Sequence, residues 1–236
     1  MNSIFYVAVI LATIVALKNI FKLDFKEAKK LDENKELEKL TDRFPDNIQI
    51  AQEMLEMLNN KNVKIEEMKN TSTSLYIAVT NKIQIADMKN NYARIQTIAH
   101  ECIHSVQDRR LLIFNFIFSN FIMLYWIIIT ILTITNKIQN IEPQMFIMLL
   151  FITIKIVVRG YLETDAMTKS TFLAEKYIKQ KNILKEEQIE NLLTEYKKIN
   201  KIGIPYTIVH ILTSSLLWLL LYAILNIIIT NIKIWK

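Results

Sequence analysis

Cysteine, glycine, proline and histidine are all scarce in this chain of 236 residues, which has 1 Cys, 2 Gly, 3 Pro and 3 His. The lone cysteine, Cys102, excludes an intrachain disulfide framework. So few helix breakers in a chain that is 52% hydrophobic suit long helices and argue against a β-rich domain. A basic stripe interleaved with exposed aromatics is also missing. The formal charge of +6 therefore does not point to nucleic acid as a partner. The lysines flank apolar runs instead, as topology determinants do. Heavy use of isoleucine, lysine and asparagine reads as base-composition bias in the source genome.

Long apolar runs are present. Ile4 to Ala16 is continuous, and Ile20 and Phe21 extend it past Lys18. Leu111 to Thr135 carries no charge, Met145 to Val158 is interrupted only by Lys155, and Thr207 to Ile232 carries none. Each approaches the roughly 20 residues needed to cross a bilayer core. The first has no basic n-region and no small-x-small cleavage site, so it is expected to be an anchor and not a secretion signal. The third has the shortest clean stretch, with Lys155 expected to snorkel to the interface marked by Arg159.

Positive charge predicts the orientation. Lys18, Lys22, Lys26, Lys29 and Lys30 follow the first run, and Arg109 and Arg110 precede the second. Arg159 closes the third, and Lys197, Lys198 and Lys201 precede the fourth. The linker 136–144 carries only Lys137, while Lys233 and Lys236 are a minor conflict. By the positive-inside rule residues 22–110 and 160–206 are cytoplasmic and both termini lie outside. A reducing compartment suits the unpaired Cys102.

Two of the three histidines fall in one short motif, His100-Glu101-Cys102-Ile103-His104. The i, i+4 spacing stacks both imidazoles on one helix face, where each can give a ring nitrogen to one tetrahedral Zn2+. Glu101 projects beside such a metal, where it can act as general base toward water. Cys102 lies about 200° around the helix from His100 and is expected to be a buried packing thiol.

The polar segments can be read more coarsely. Residues 22–45 form a lysine- and glutamate-rich linker, partly helical and solvated. Pro45, Asp46 and Asn47 start a helix with Ile48, Ala51, Met54, Leu55 and Leu58 at helical spacing, and Asn59 and Asn60 stop it. From Val63 to Asp87 the period changes. Leu75, Ile77 and Val79 alternate with Tyr76 and Ala78, and Ile83 and Ile85 follow Thr80, Asn81 and Lys82, which predicts a β-hairpin. Its edge, beside the metal, could take an extended peptide as an added strand. The motif helix is expected to start near Asn90 or Asn91 and to run on into the second apolar run. Residues 181–201 predict a further amphipathic helix with Ile183, Leu184, Ile189, Leu192 and Leu193 inward.

A catalytic zinc keeps three protein ligands and one open position. His210 falls inside the fourth run, so the third ligand is expected to be a carboxylate. A hairpin of the second and third runs brings the residues before Leu111 beside those after Val158. There stands Tyr161-Leu162-Glu163-Thr164-Asp165-Ala166, with Glu163 the expected ligand. Asp165 points elsewhere on a helix and is expected to accept a hydrogen bond from a histidine ring. Tyr206 and Arg159 are candidates for stabilising an oxyanion. His210 is expected to be packed or interfacial, and Trp126, Trp218 and Trp235 to serve packing and interface anchoring.

The stretch Ile98-Ala99-His100-Glu101-Cys102-Ile103-His104-Ser105-Val106-Gln107 resembles the A-A-H-E-x-G-H-A-x-Q motif of the bacterial membrane-bound neutral zinc metallopeptidases, the YugP-like family. Glu163-Thr164-Asp165-Ala166 is similar to that family's E-F-D-A-S, the strand pair ending at Lys82 to Asp87 to the pair before its catalytic helix, and Tyr206 to its T-Y start. The likeness covers most of residues 46–230. Ile103 and Ser105 stand where the family has glycine and alanine, Tyr161 where it tends to have proline, and Met167 where it has serine. None of these removes a proposed ligand or the base, and Ile103 bears on pocket shape.

The expected fold is mainly α: an integral membrane protein with about four transmembrane helices and a small cytoplasmic zincin-like α+β part containing the hairpin. Its parts are an anchor over 1–21, the linker 22–45, the motif segment 46–110, a transmembrane hairpin 111–159, a helical segment 160–206 with the third ligand, and a last span 207–236. The resemblance implies a zinc metalloendopeptidase of the cell membrane acting on peptides or membrane proteins at the cytoplasmic face. A membrane zinc protease of the prenyl-peptide or heat-shock type shares the chemistry; its E-x-x-A-D motif fits Glu163 and Ala166 but not Met167. A multi-span scaffold without catalysis is the remaining alternative.

Overall fold

The computed structural model describes residues 3–21, 34–69, 71, 73–88 and 91–234. Among them the elements follow as α1 Ser3–Ile20, α2 Lys35–Thr41, α3 Asn47–Met57, β1 Lys64–Met68, β2 Leu75–Ile77, β3 Lys82–Ala86, α4 Arg94–His104, α5 Arg109–Ile134, α6 Glu142–Lys181 and α7 Glu186–Ile234. The chain divides into two compact units. One holds α1, α5 from Phe114, α6 up to Tyr161 and α7 from Pro205; the other holds α2 to α4, the strands and the span Leu162–Ile204.

Helices α1, α5, α6 and α7 are long and apolar enough to cross a membrane. Their unit packs around Ile10, Ile122, Ile129, Met148, Ile152, Leu219 and Tyr222. Phe118, Phe121 and Tyr125 of α5 meet Phe151 of α6 edge-on. Trp126 stacks edge-to-face on Trp218 at 4.7 Å and donates its indole N–H to the Trp218 carbonyl, the packing role expected of both. Apolar side chains such as Phe116, Ile117, Phe146 and Val157 stay exposed. An apolar exterior of this kind is stable against lipid and not against water.

In the other unit, Asp46 caps α3 by accepting the Gln49 N–H at 2.8 Å, as the Pro-Asp-Asn start predicts. Ile50, Ala51, Met54 and Leu55 are buried along its inner face. Of the expected linker, residues 22–33 lie outside the described residues. The remainder is not all solvated, because α2 buries Leu37 and Thr41.

The expected hairpin exists as β2 and β3, antiparallel with Tyr76 opposite Ile83. A third strand joins it: β1 runs parallel to β3 with Ile65 opposite Ile83, giving the order β1-β3-β2. Ile83 and Ile85 are fully buried, while Leu75 and Val79 are exposed and Ala78 is buried. The alternation is therefore real on β3, whereas on β2 Leu75 is exposed and Tyr76 and Ile77 are both half-buried, because that strand spans only three residues.

Helix α4 departs from its expected run-on. It begins at Arg94 and ends at His104, and residues 105–108 form a turn before α5. Asp108 starts α5 by accepting the Arg110 N–H at 2.8 Å. Two other expected boundaries vanish. The third apolar run and the segment after it form one helix of 40 residues, and the amphipathic segment and the last span form one of 49 residues that contains Pro205. Asn182, at φ 51°, makes the turn between them. Leu184, Ile189, Leu192 and Leu193 are buried as expected, but Ile183 is exposed.

Candidate metal centre

Helix α4 is amphipathic, and its buried face anchors the site. Ile95, Ile98, Ala99 and Cys102 are wholly buried in the core with Ile50, Met54, Ile83 and Ile85. Burial also pushes the Cys102 thiol up, so it is an inert packing group, as its angular position predicts. Ile103, which replaces the glycine of the resembled motif, is itself a core residue. At the start of the helix the buried Arg94 guanidinium donates to the carbonyls of Thr41, Phe44 and Pro45 and to Asn47 Oδ1. Further along, Gln96 Nε2 donates to Thr171 Oγ1 at 3.0 Å and to Asn200 Oδ1 at 2.9 Å, tying α4 to α6 and α7.

With the helix held in this way, His100 and His104 project together, their rings perpendicular with centroids 4.5 Å apart. Their Nε2 atoms are 3.0 Å apart. Glu163, on α6, reaches both: its Oε2 lies 3.5 Å from His100 Nε2 and 3.8 Å from His104 Nε2. These three residues form the cluster with metal-ligand geometry, the ligand atoms all lying within 4.8 Å of one another. Tetrahedral zinc with bonds near 2.1 Å separates its ligand atoms by roughly 3.4 Å. The three observed edges bracket that value, and two imidazoles with one carboxylate leave a fourth position open. The residues fit a zinc ion.

Burial pushes the Glu163 carboxyl up, but the neighbouring His100 and His104 rings outweigh it and hold the carboxyl well below its usual range. For His104, burial works against the charged form, and the Glu163 carboxylate more than offsets it, raising its pKa. The cluster is thus a negative carboxylate facing two imidazoles, the charge pattern that a cation completes.

Glu101 is only 6% exposed. Burial raises its carboxyl above the usual range, against the pull of His100 and His104. One of its oxygens accepts the main-chain N–H of Tyr76 at 2.6 Å. Tyr76 lies on β2, an edge strand of the described sheet, so Glu101 sits against a sheet edge.

Asp165 differs from expectation. It makes no direct bond to a histidine ring; Gln107 stands between them. Gln107 Oε1 lies 2.7 Å from His104 Nδ1, and its Nε2 donates to Asp165 Oδ2 and to the Leu162 carbonyl, each at 2.9 Å. Asp165 Oδ1 also pairs with Lys169 at 2.7 Å. Gln107 closes the resembled motif without a role of its own there, although its i, i+3 spacing from His104 is a usable signal of this contact.

Comparison of the chain with protein-family models, with curated proteins and with solved structures finds no match. The geometry alone carries the functional reading. Arg159 and Tyr206 belong to the helical unit and are no part of the His100–His104–Glu163 cluster. Tyr206 stacks on His210, with rings 2° from parallel and centroids 6.1 Å apart.

Proposed function

We propose that this protein is a multi-span membrane zinc metalloendopeptidase of the YugP-like kind, with His100, His104 and Glu163 as metal ligands and Glu101 as general base. The observation that carries the reading is the convergence of Glu163 on the two motif histidines from a helix 59 residues further along the chain, counted from His104. A zinc ion held there supplies Lewis acidity to a peptide carbonyl and to a water molecule. Glu101 takes the proton from that water as it attacks and passes it to the leaving amine nitrogen. Burial around Glu101 favours a carboxylate that accepts protons readily.

An extended substrate adds along β2, where the Tyr76 N–H is donated to Glu101, with the exposed Leu75 on that strand and Val79 in the turn after it available to apolar side chains. The charge pattern around the apolar runs supports a cytoplasmic-side site, with membrane proteins or membrane-associated peptides as substrates. The test is hydrolysis of an unstructured peptide pool by the purified protein in detergent. Activity abolished by a chelator and restored by Zn2+ supports the reading; hydrolysis indifferent to chelation overturns it.

A further inference from the structure

We infer that Gln107 is a positioning residue of the metal centre: its side-chain amide holds the His104 ring in the tautomer that offers Nε2 as a ligand, and fastens that ring to the helix that carries Glu163. This role rests on the proposed metal-site reading and adds to it a residue that never touches the metal.

The hydrogen-bond pattern fixes each proton in turn. A main-chain carbonyl can only accept, so the Gln107 atom 2.9 Å from the Leu162 oxygen is the amide nitrogen. The same nitrogen donates its second hydrogen to Asp165 Oδ2 at 2.9 Å. Asp165 pairs through its other oxygen with the Lys169 ammonium at 2.7 Å, so both of its oxygens act as acceptors. With both amide hydrogens spent, Gln107 presents its oxygen to His104 Nδ1 at 2.7 Å, and that oxygen can only accept. Nδ1 therefore carries the proton, and in the neutral ring Nε2 keeps its lone pair. It is this Nε2 that faces Glu163 and His100 Nε2.

The same side chain solves a mechanical problem. His104 is the last residue of α4, and Gln107 lies in the turn that follows. A ligand at a helix end lacks the next turn to brace it. Gln107 ties that end to Leu162 and Asp165, the residues on either side of Glu163 and Thr164 on α6. Two of the three ligands are thereby held in register by one amide. Outer hydrogen bonds of this kind typically change metal affinity about 10–100-fold when removed.

The test combines Zn2+ affinity, by competition with a chromophoric chelator at fixed pH, with ring 15N spectra of the metal-free protein, which has only 3 histidines to resolve. The full chain in detergent serves as wild type, Gln107→Leu, Gln107→Glu and the reciprocal double variant Gln107→Glu/Asp165→Asn. Gln107→Leu is expected to bind zinc about 10-fold or more weakly and to lose its single Nδ1–H tautomer at His104. Gln107→Glu sets a carboxylate oxygen against the Leu162 carbonyl and Asp165 and is expected to weaken binding too. In the double variant the amide introduced by Asp165→Asn can donate to the new carboxylate, so part of the wild-type affinity should return, the Leu162 carbonyl still being opposed. This rescue separates positioning from general damage to the fold. Equal affinity in all four proteins with an unchanged tautomer, or a double variant no better than Gln107→Glu, overturns the positioning role alone. A wild type that takes up no zinc overturns the metal-site reading and this role with it.

Discussion

The main-chain N–H of Tyr76 donates to the carboxylate of Glu101 at 2.6 Å, joining the edge strand β2 to the residue between the two motif histidines. A main-chain donor holds the carboxylate without supplying a proton that could compete with catalysis. A glutamine in the same place can accept the same N–H through its oxygen. Glu101→Gln is therefore expected to fold and to keep its zinc while losing turnover about 10³-fold or more. Peptide hydrolysis and metal content measured on one preparation check this. Retained turnover would remove Glu101 from the chemistry.

Arg94 is a structural counterpart to the site residues. Its guanidinium satisfies three carbonyls and Asn47 Oδ1, and the bonds to Thr41, Phe44 and Asn47 are buried away from water. Arg94→Met should cost about 3 kcal/mol because several acceptors lose their donor at once. Arg94→Lys should recover little, since one ammonium cannot span the fork. Thermal unfolding of the full chain reads both, and a wild-type midpoint in Arg94→Met contradicts the assignment.

Glu53 gives the fold an acid-sensitive joint. It accepts hydrogen bonds from Tyr177 at 2.7 Å and from Lys181 at 2.6 Å. Burial pushes its carboxyl up, but the bonds from Lys181, Tyr177 and Gln49 outweigh that and leave it below the ordinary value. A depressed folded-state pKa contributes stability that is present above the unfolded value of about 4.3 and is lost as pH falls through the folded one. Wild type should thus lose more thermal stability than Glu53→Gln between about pH 5 and pH 3. Parallel curves for the two proteins would show that the carboxylate adds nothing.

Orientation can be read with thiol labelling, because Cys102 is buried and silent. Gln139 lies in the linker between α5 and α6, and Lys61 follows α3; both are exposed. In intact cells Gln139→Cys should react with a membrane-impermeant reagent, and Lys61→Cys only after permeabilisation. The reverse pattern would put the metal cluster outside.

What could be read from the sequence follows from what its periodicities encode. The apolar runs, α3 with its Asp46 cap, the β2–β3 pair and the His100–His104 face are local patterns, and all appear where expected. Glu163 was reachable because topology restricted where a carboxylate could arrive. Strand β1 is not legible in the sequence because an edge strand reading Lys-Ile-Glu-Glu-Met has little apolar alternation to display. The long helices α6 and α7 hid their continuity because their pattern changes from an all-round apolar surface to a one-sided stripe without any change in backbone. The Arg94 fork and the reach of the Gln107 amide to Leu162 and Asp165 are contacts between residues distant in the chain. No period announces such contacts, and only the folded chain brings them together.

The most direct test of the central claim is the zinc content of the purified protein, by elemental analysis, for wild type beside Glu163→Ala. With His100, His104 and Glu163 as ligands, wild type should hold about one zinc per chain, and Glu163→Ala should lose most of it during dialysis against a weak chelator. Equal zinc in both proteins would contradict Glu163 as the third ligand, and no zinc in wild type would contradict the metal centre itself.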